Sequence, residues 1–163
     1  MDIATFDEVD EATAADLLRA CARVESWVAA LVAGRPYGSL EALLVLADTV
    51  AAGWGAAEVE EALADHPRIG ERHDGSGPSA GMSRREQSGV DSSSTTAVRM
   101  AAGNRRYEAR FDRIFLIRAA GRSAEEILAQ LEARLLNDPE TELAVTARQL
   151  REIAALRLEG SFS

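Results

Sequence analysis

Apolar residues recur at intervals of three and four positions along the first third of the chain, which is the spacing of a buried stripe on a helix. From about Val9 to Ala33 this pattern predicts one long helix or two consecutive helices, ended by Gly34-Arg35-Pro36. A further helix is expected through Ala52, with Ser39 as a plausible N-cap. The N-terminal part of the chain is therefore predicted to be helical.

A short helix is predicted next, from Ala56 to Asp65. Because a proline disfavours helical geometry in the residue before it, Pro67 places His66 at the end of this helix. The segment from Arg72 to Gly81 is rich in glycine and has no apolar periodicity, so it is expected to be a loop.

The spacing of Ser83 and Glu86 matches a capping box, in which both side chains bind free amides at a helix start. The pattern predicts a helix from there through Tyr107, with a possible interruption near Val90 to Ser94. His66 and Glu86 are thus two groups capable of proton chemistry on either side of a polar loop.

Residues 114–117, Ile-Phe-Leu-Ile, are the only run that reads like a strand. Since a lone strand has no pairing partner, an extended buried connector is preferred. A helix with a second S-x-x-E box follows from Ser123 to about Asn137, and Asp138-Pro139 is an N-cap and first-turn proline for a last helix through Leu158. The predicted fold class is all-α, a compact multi-helix arrangement.

Composition narrows the classes of function. The 163 residues, 47% of them hydrophobic, suit one domain spanning residues 1–163. A net charge of -9 argues against nucleic acid or an anionic membrane as partner, and no segment approaches a membrane span, so a cytoplasmic protein is expected. Every basic residue is arginine, which excludes Schiff-base lysine chemistry and the phosphate-loop lysine.

Several motifs, in this order and spacing, resemble the OHCU decarboxylase family. They are His66-Pro67-Arg68-Ile69-Gly70, the stretch from Ser83 to Gly89, Asn104 to Phe111, Phe115 to Ser123, and Leu156-Arg157-Leu158. Enzymes of this family convert 2-oxo-4-hydroxy-4-carboxy-5-ureidoimidazoline (OHCU), an unstable intermediate of urate breakdown, to (S)-allantoin. The resemblance implies an all-helical enzyme that uses no cofactor or metal and is commonly a homodimer.

The resemblance also implies the site residues. Its catalytic positions correspond to His66, Glu86 and Arg157. The substrate-contacting positions follow the histidine, begin a helix and line the connector: Pro67, Ser83, Arg84, Arg85, Gln87, Phe115, Leu116, Ile117, Arg118 and Ala119. Two positions depart from the family pattern, since Asp112 replaces a glycine found in many members and Arg118 a cysteine found in some. At Arg118 the backbone can bind while the side chain points away.

The decarboxylation of OHCU requires the kinds of side chain found at these positions. Loss of CO₂ leaves a carbanion or enolate that the substrate's own ring can delocalise, so no cofactor is required. The protein must orient an anion, for which paired arginine donors are suited, and must return one proton to one face. His66 is the natural proton carrier because the unperturbed pKa of histidine is about 6.5. Glu86 could bind N–H groups of the substrate or tune His66, and backbone amides after Ser83 could add donors.

Two other classes of function remain open at this stage. A metal site could use His66, His73, Asp65, Glu71 and Asp74, although two histidines without helical i,i+4 spacing are a poor ligand set. A helical binding module is the second alternative. Taken singly, His66 could be a helix cap, Ser83 and Glu86 an ordinary capping box, and Arg157 a solvated or salt-bridged residue.

Overall fold

The computed structural model describes residues 1–70, 78–87 and 94–162. Within these ranges the chain forms nine helices and no strand, which confirms the all-α prediction. The helices are α1 (Ile3–Glu8), α2 (Glu11–Cys21), α3 (Glu25–Ala33), α4 (Leu40–Ala51), α5 (Ala56–Leu63), α6 (Pro78–Gln87), α7 (Ser94–Phe111), α8 (Ala124–Arg134) and α9 (Pro139–Ser161).

The N-terminal helices follow the predicted pattern with one addition. The stretch from Val9 to Ala33 forms two helices, α2 and α3, and Ser39 caps α4 by accepting a hydrogen bond from the Ala42 N–H at 3.2 Å. The short α1 was not predicted. It is stabilised at its start by the Asp2 carboxylate, which accepts from the Thr5 N–H at 2.8 Å.

The start of α6 corrects one prediction. The helix begins at Pro78, so Ser83 and Glu86 lie in its second half and do not form a capping box. Proline at the first helical position needs no N–H partner and supplies a helical φ, which explains the earlier start. Residues 72–77 of the predicted loop and 90–93 of the possible interruption lie outside the described residues.

The last two helices begin as predicted. Ser123 and Glu126 form a reciprocal capping box at the start of α8. The Asp138 carboxylate accepts from the Thr141 N–H at 2.9 Å at the start of α9, which continues to Ser161, three residues past the predicted end. In the described part of the chain, no single helix is long and apolar enough to span a membrane; α4 and α5 meet that test only as a pair, bent by 116°.

The connector at residues 114–119 lies between two hydrophobic clusters. Leu116 packs in a cluster built from α2 to α5 and α9, whereas Phe115 and Ile117 pack in a second cluster with α7 and α8. Successive side chains of an extended chain point to opposite sides, so alternate residues enter different clusters. The prediction of an extended buried connector is confirmed.

Candidate active site

Arg157 lies on the buried face of α9 and binds two side chains of α6. Its Nε donates to Glu86 Oε1 at 2.6 Å and its Nη2 to Glu86 Oε2 at 3.0 Å. Nη2 also donates to the Ser83 hydroxyl at 3.1 Å. The side chains of Arg157 and Glu86 are 3% and 22% exposed. This bidentate geometry is the strong form of an arginine–carboxylate pair. Arg157 is thus salt-bridged, as one of the two alternatives had it, and not solvated.

A small cavity of about 20 Å³ adjoins this pair. Its wall brings together residues from the end of α5, from α6, from the connector and from α9. They are His66, Pro67, Ile69, Ser83, Glu86, Gln87, Phe115, Leu116, Ile117, Ala119 and Ile153. Its volume is about that of one water molecule, so it can receive only part of a substrate.

A larger cavity of about 290 Å³ shares Glu86, Ala119 and Ile153 with the small one. Its other wall residues are Met82, Arg85, Arg118, Ala120, Leu156, Arg157 and Gly160. The two spaces are thus neighbours, with Glu86 lining both and His66 lining the smaller one. The two cavities together form the candidate active site.

His66 is held beside α6 by local contacts. It follows the end of α5, where its backbone N–H donates to the Leu63 carbonyl at 3.1 Å. The neighbouring Asp65 accepts from the Ser79 hydroxyl at 2.6 Å, which ties the start of α6 to this turn. The sequence thus predicted correctly that His66 lies beyond a helix end.

Arg118 is arranged differently from the expectation. Its backbone N–H donates to Gln149 Oε1 at 2.9 Å, so this group is already used within the protein. Arg118 lines the larger cavity, and its guanidinium donates from Nε to Glu152 at 3.1 Å and from Nη1 to the Ala120 carbonyl at 3.1 Å. Both its backbone N–H and its guanidinium therefore bind groups of the protein.

The structure does not bring every expected residue to the site. Arg84 is exposed and lines neither of the two cavities, whereas Arg85 lines the larger one. Gln87 lines the small cavity and accepts from the Gly70 N–H at 3.2 Å. Ile153 was missed by the sequence reasoning, although it lies four residues before Arg157 and thus on the same face of α9.

The departure at Asp112 has a backbone explanation. Asp112 follows the end of α7 with a φ of 55°, and its N–H donates to the Glu108 carbonyl at 2.9 Å. Glycine is the usual residue in this left-handed conformation, and aspartate tolerates it better than most other residues. Asp112 therefore adopts a backbone conformation that glycine favours.

The metal alternative gains no support from the described residues. Among them, no group of three or more histidine, cysteine, aspartate or glutamate side chains could hold a metal ion. His73, Glu71 and Asp74, which belonged to the suggested ligand set, lie outside the residues that the structure describes.

A family model described as OHCU decarboxylase matches residues 7–159. The chain belongs to the OHCU decarboxylase family. It is therefore a decarboxylase, a carboxy-lyase, and the resemblance read from its motifs is confirmed. No curated protein sequence gives a significant match.

Solved structures agree with this family assignment. A crystal structure of OHCU decarboxylase in the presence of (S)-allantoin matches with a TM-score of 0.73 and 26% identity, covering 87% of this chain and 94% of that chain. A crystal structure of (S)-allantoin synthase matches with a TM-score of 0.72 and 17% identity, covering 99% of this chain and 54% of that chain. The second likeness concerns the fold alone.

Proposed function

We propose that this protein decarboxylates OHCU stereospecifically to (S)-allantoin without a cofactor, with the substrate bound at the two cavities that share Glu86. The observation that supports this most is the ion pair between the buried Arg157 and Glu86, which lines both cavities. The structural likeness to an OHCU decarboxylase crystallised in the presence of (S)-allantoin supports the substrate.

Arg157 orients the anionic substrate in this proposal. Its Nε and Nη2 are used by Glu86 and Ser83, which leaves Nη1 as the guanidinium nitrogen for a substrate oxygen. Glu86 holds the guanidinium plane in place. Each Glu86 oxygen accepts one hydrogen bond from Arg157 and retains acceptor capacity for an N–H of the ureido group or ring.

His66 supplies the proton. When the bond between the ring and its carboxylate breaks, CO₂ leaves and the electron pair is delocalised into the ring. The ring carbon that bears the ureido group then takes up one proton from His66. The proton that the hydroxyl loses on becoming a carbonyl balances the one gained by the ring nitrogen that received the electron pair, so the reaction consumes one proton overall. An imidazole on one side of the small cavity can deliver that proton to a single face, and this produces one enantiomer.

Arginines make the larger cavity suitable for an anion although the whole chain has a net charge of -9. Among the described residues, Arg85, Arg118 and Arg157 line it together with Glu86, and Glu152 binds Arg118. A concave site with excess positive charge raises the local concentration of an anionic substrate. The homodimer and the cytoplasmic location stay predictions from the family resemblance and from composition.

The test is circular dichroism of allantoin formed from urate with uricase and 5-hydroxyisourate hydrolase present. Adding the protein should accelerate the (S)-allantoin signal, because uncatalysed decay gives the optically silent racemate. His66→Asn should remove most of this acceleration while far-UV helicity is unchanged. Arg148→Ala, at an exposed position of α9, is the matched control and should keep it. Equal signals with and without folded protein would refute the proposal.

A further inference from the structure

The backbone N–H and C=O groups of the connector need hydrogen-bond partners, and they do not obtain them from a helix or a sheet. Residues 114–119 are neither helix nor strand, yet Phe115, Leu116 and Ile117 are buried. Buried N–H and C=O groups left without partners are costly. Two side chains supply partners here. Arg134 Nη1 donates to the Leu116 carbonyl at 2.7 Å, and Gln149 Oε1 accepts from the Arg118 N–H at 2.9 Å.

Arg134 is itself held in a buried network. Its Nε and Nη2 donate to Glu142 Oε1 at 2.8 and 2.5 Å. Glu142 also accepts from the Tyr107 hydroxyl at 2.5 Å and from Asn137 Nδ2 at 3.0 Å. A buried ion pair is weak evidence of stabilisation, because desolvation offsets the attraction. What this pair does provide is a rigid donor for the connector carbonyl.

Gln149 links the connector to the helix that carries Arg157. It is 7% exposed and lies eight residues before Arg157, with Ile153 midway between them. At 1.5 Å per residue, the two positions are about 12 Å apart along the axis of α9. The single helix α9 therefore carries both Gln149, which binds the connector, and Arg157, which binds Glu86.

We propose that Gln149 is a positioning residue for decarboxylation, which fixes the connector wall of the site through the Arg118 N–H. The wall, formed by Phe115, Leu116, Ile117 and Ala119, lines the small cavity together with His66, Ser83 and Glu86. The part of the planar intermediate that enters this cavity lies against the wall and presents one face to His66. If the wall shifts, the intermediate can turn or leave before it is protonated, and its product becomes partly racemic. This proposal rests on the proposed function.

The test compares Gln149→Leu with Gln149→Glu. Leucine removes the acceptor at similar size, whereas glutamate keeps an oxygen for the Arg118 N–H. Gln149→Leu should lower kcat by about tenfold to a hundredfold, as expected for a small misplacement of reacting groups. It should also lower the enantiomeric excess of allantoin at saturating enzyme, with a smaller change in KM. Gln149→Glu should restore both kcat and enantiomeric excess.

Glu152→Gln is the matched control, because Glu152 binds the guanidinium of the same Arg118 and leaves its backbone N–H untouched. This variant should keep the wild-type enantiomeric excess. Gln149→Met, also without the acceptor, replaces Gln149→Leu if the latter does not fold. Wild-type kcat and enantiomeric excess in a folded Leu or Met variant would overturn the proposal. An inactive wild-type protein would instead refute the proposed function.

Discussion

Two arginine–glutamate pairs lie on the same buried face of α9 but differ in the solvent exposure of their glutamate side chains. Near its start, Glu142 pairs with Arg134 of α8. Near its end, Arg157 pairs with Glu86 of α6. The side chain of Glu142 is 0% exposed, whereas that of Glu86 is 22% exposed.

The partners explain this difference. Protein groups surround Glu142, including the Tyr107 hydroxyl, the Asn137 amide and the Thr146 hydroxyl. Burial, together with the hydrogen bond to Glu142, raises the pKa of Tyr107 to about 12, so its hydroxyl stays a donor at neutral pH. Glu86, in contrast, lines both cavities. The pair enclosed by protein maintains the structure, and the pair beside a cavity is available to a ligand.

The largest expected effect is a difference in the free energy of unfolding between variants of Glu142 and Glu86. Glu142→Gln leaves the Arg134 charge buried without its carboxylate, and removal of one partner of a buried pair typically costs about 3–5 kcal/mol. Glu86→Gln should cost clearly less, because the Glu86 side chain is 22% exposed and is therefore less desolvated than that of Glu142. Urea unfolding followed by far-UV circular dichroism measures both free energies. Equal losses in the two variants would remove the distinction between the pairs.

Lysine substitutions should distinguish Arg157 from Arg134 by their effects on catalytic efficiency. Arg157→Lys keeps the charge but loses the planar guanidinium that binds Glu86 and, in the proposed function, the substrate. We expect kcat/KM to fall about a hundredfold, which corresponds to about 2.7 kcal/mol of transition-state stabilisation. Arg134→Lys should act mainly on the free energy of unfolding. Steady-state kinetics at equal folded concentration distinguishes them, with Arg148→Lys as the exposed control on α9. Unchanged efficiency in Arg157→Lys would mean that the guanidinium does not contact substrate.

The smallest effect concerns pH at the start of α9, next to the enclosed pair. Hydrogen bonds from the Thr141 backbone N–H and hydroxyl lower the pKa of Asp138 below its ordinary value of 3.8. A lowered folded-state pKa means that this stabilisation is fully present above the unfolded pKa and is lost as pH falls through the folded value. The Tm should therefore decrease as pH is lowered below about 4.

Asp138→Asn keeps a capping oxygen that does not titrate. This variant should show a shallower decrease of Tm over the same pH range than the wild type. A wild-type slope in the variant would assign the acid sensitivity to other carboxylates.

Local signals were sufficient for most of the fold. Asp138-Pro139 and the Ser123–Glu126 box predicted the starts of α9 and α8, because a cap depends only on neighbouring residues. The same reasoning failed at Ser83 and Glu86. Their spacing also suits a capping box, but Arg157, 71 residues after Glu86, binds both side chains inside a helix.

The sequence suggested positions for the site but not their arrangement. The assignment of His66, Glu86 and Arg157 as catalytic stays a prediction from the family resemblance, and no local pattern indicates that the last two pair with each other. The Arg134–Glu142 pair was missed altogether, because charged residues on a helix are ordinarily read as solvent-facing. Such pairs depend on contacts between distant helices, which a single sequence does not display.

The order of the helices along the chain affects how the core can form during synthesis. Leu150, Ile153 and Leu158 of α9 belong to the hydrophobic cluster formed by α2 to α5. Because α9 follows those helices in sequence, their apolar faces lack this cover during translation until α9 has left the ribosome. Nascent chains with exposed apolar surface are prone to aggregate. The helix that contributes to both arginine–glutamate pairs therefore also covers apolar surface that the earlier helices leave exposed.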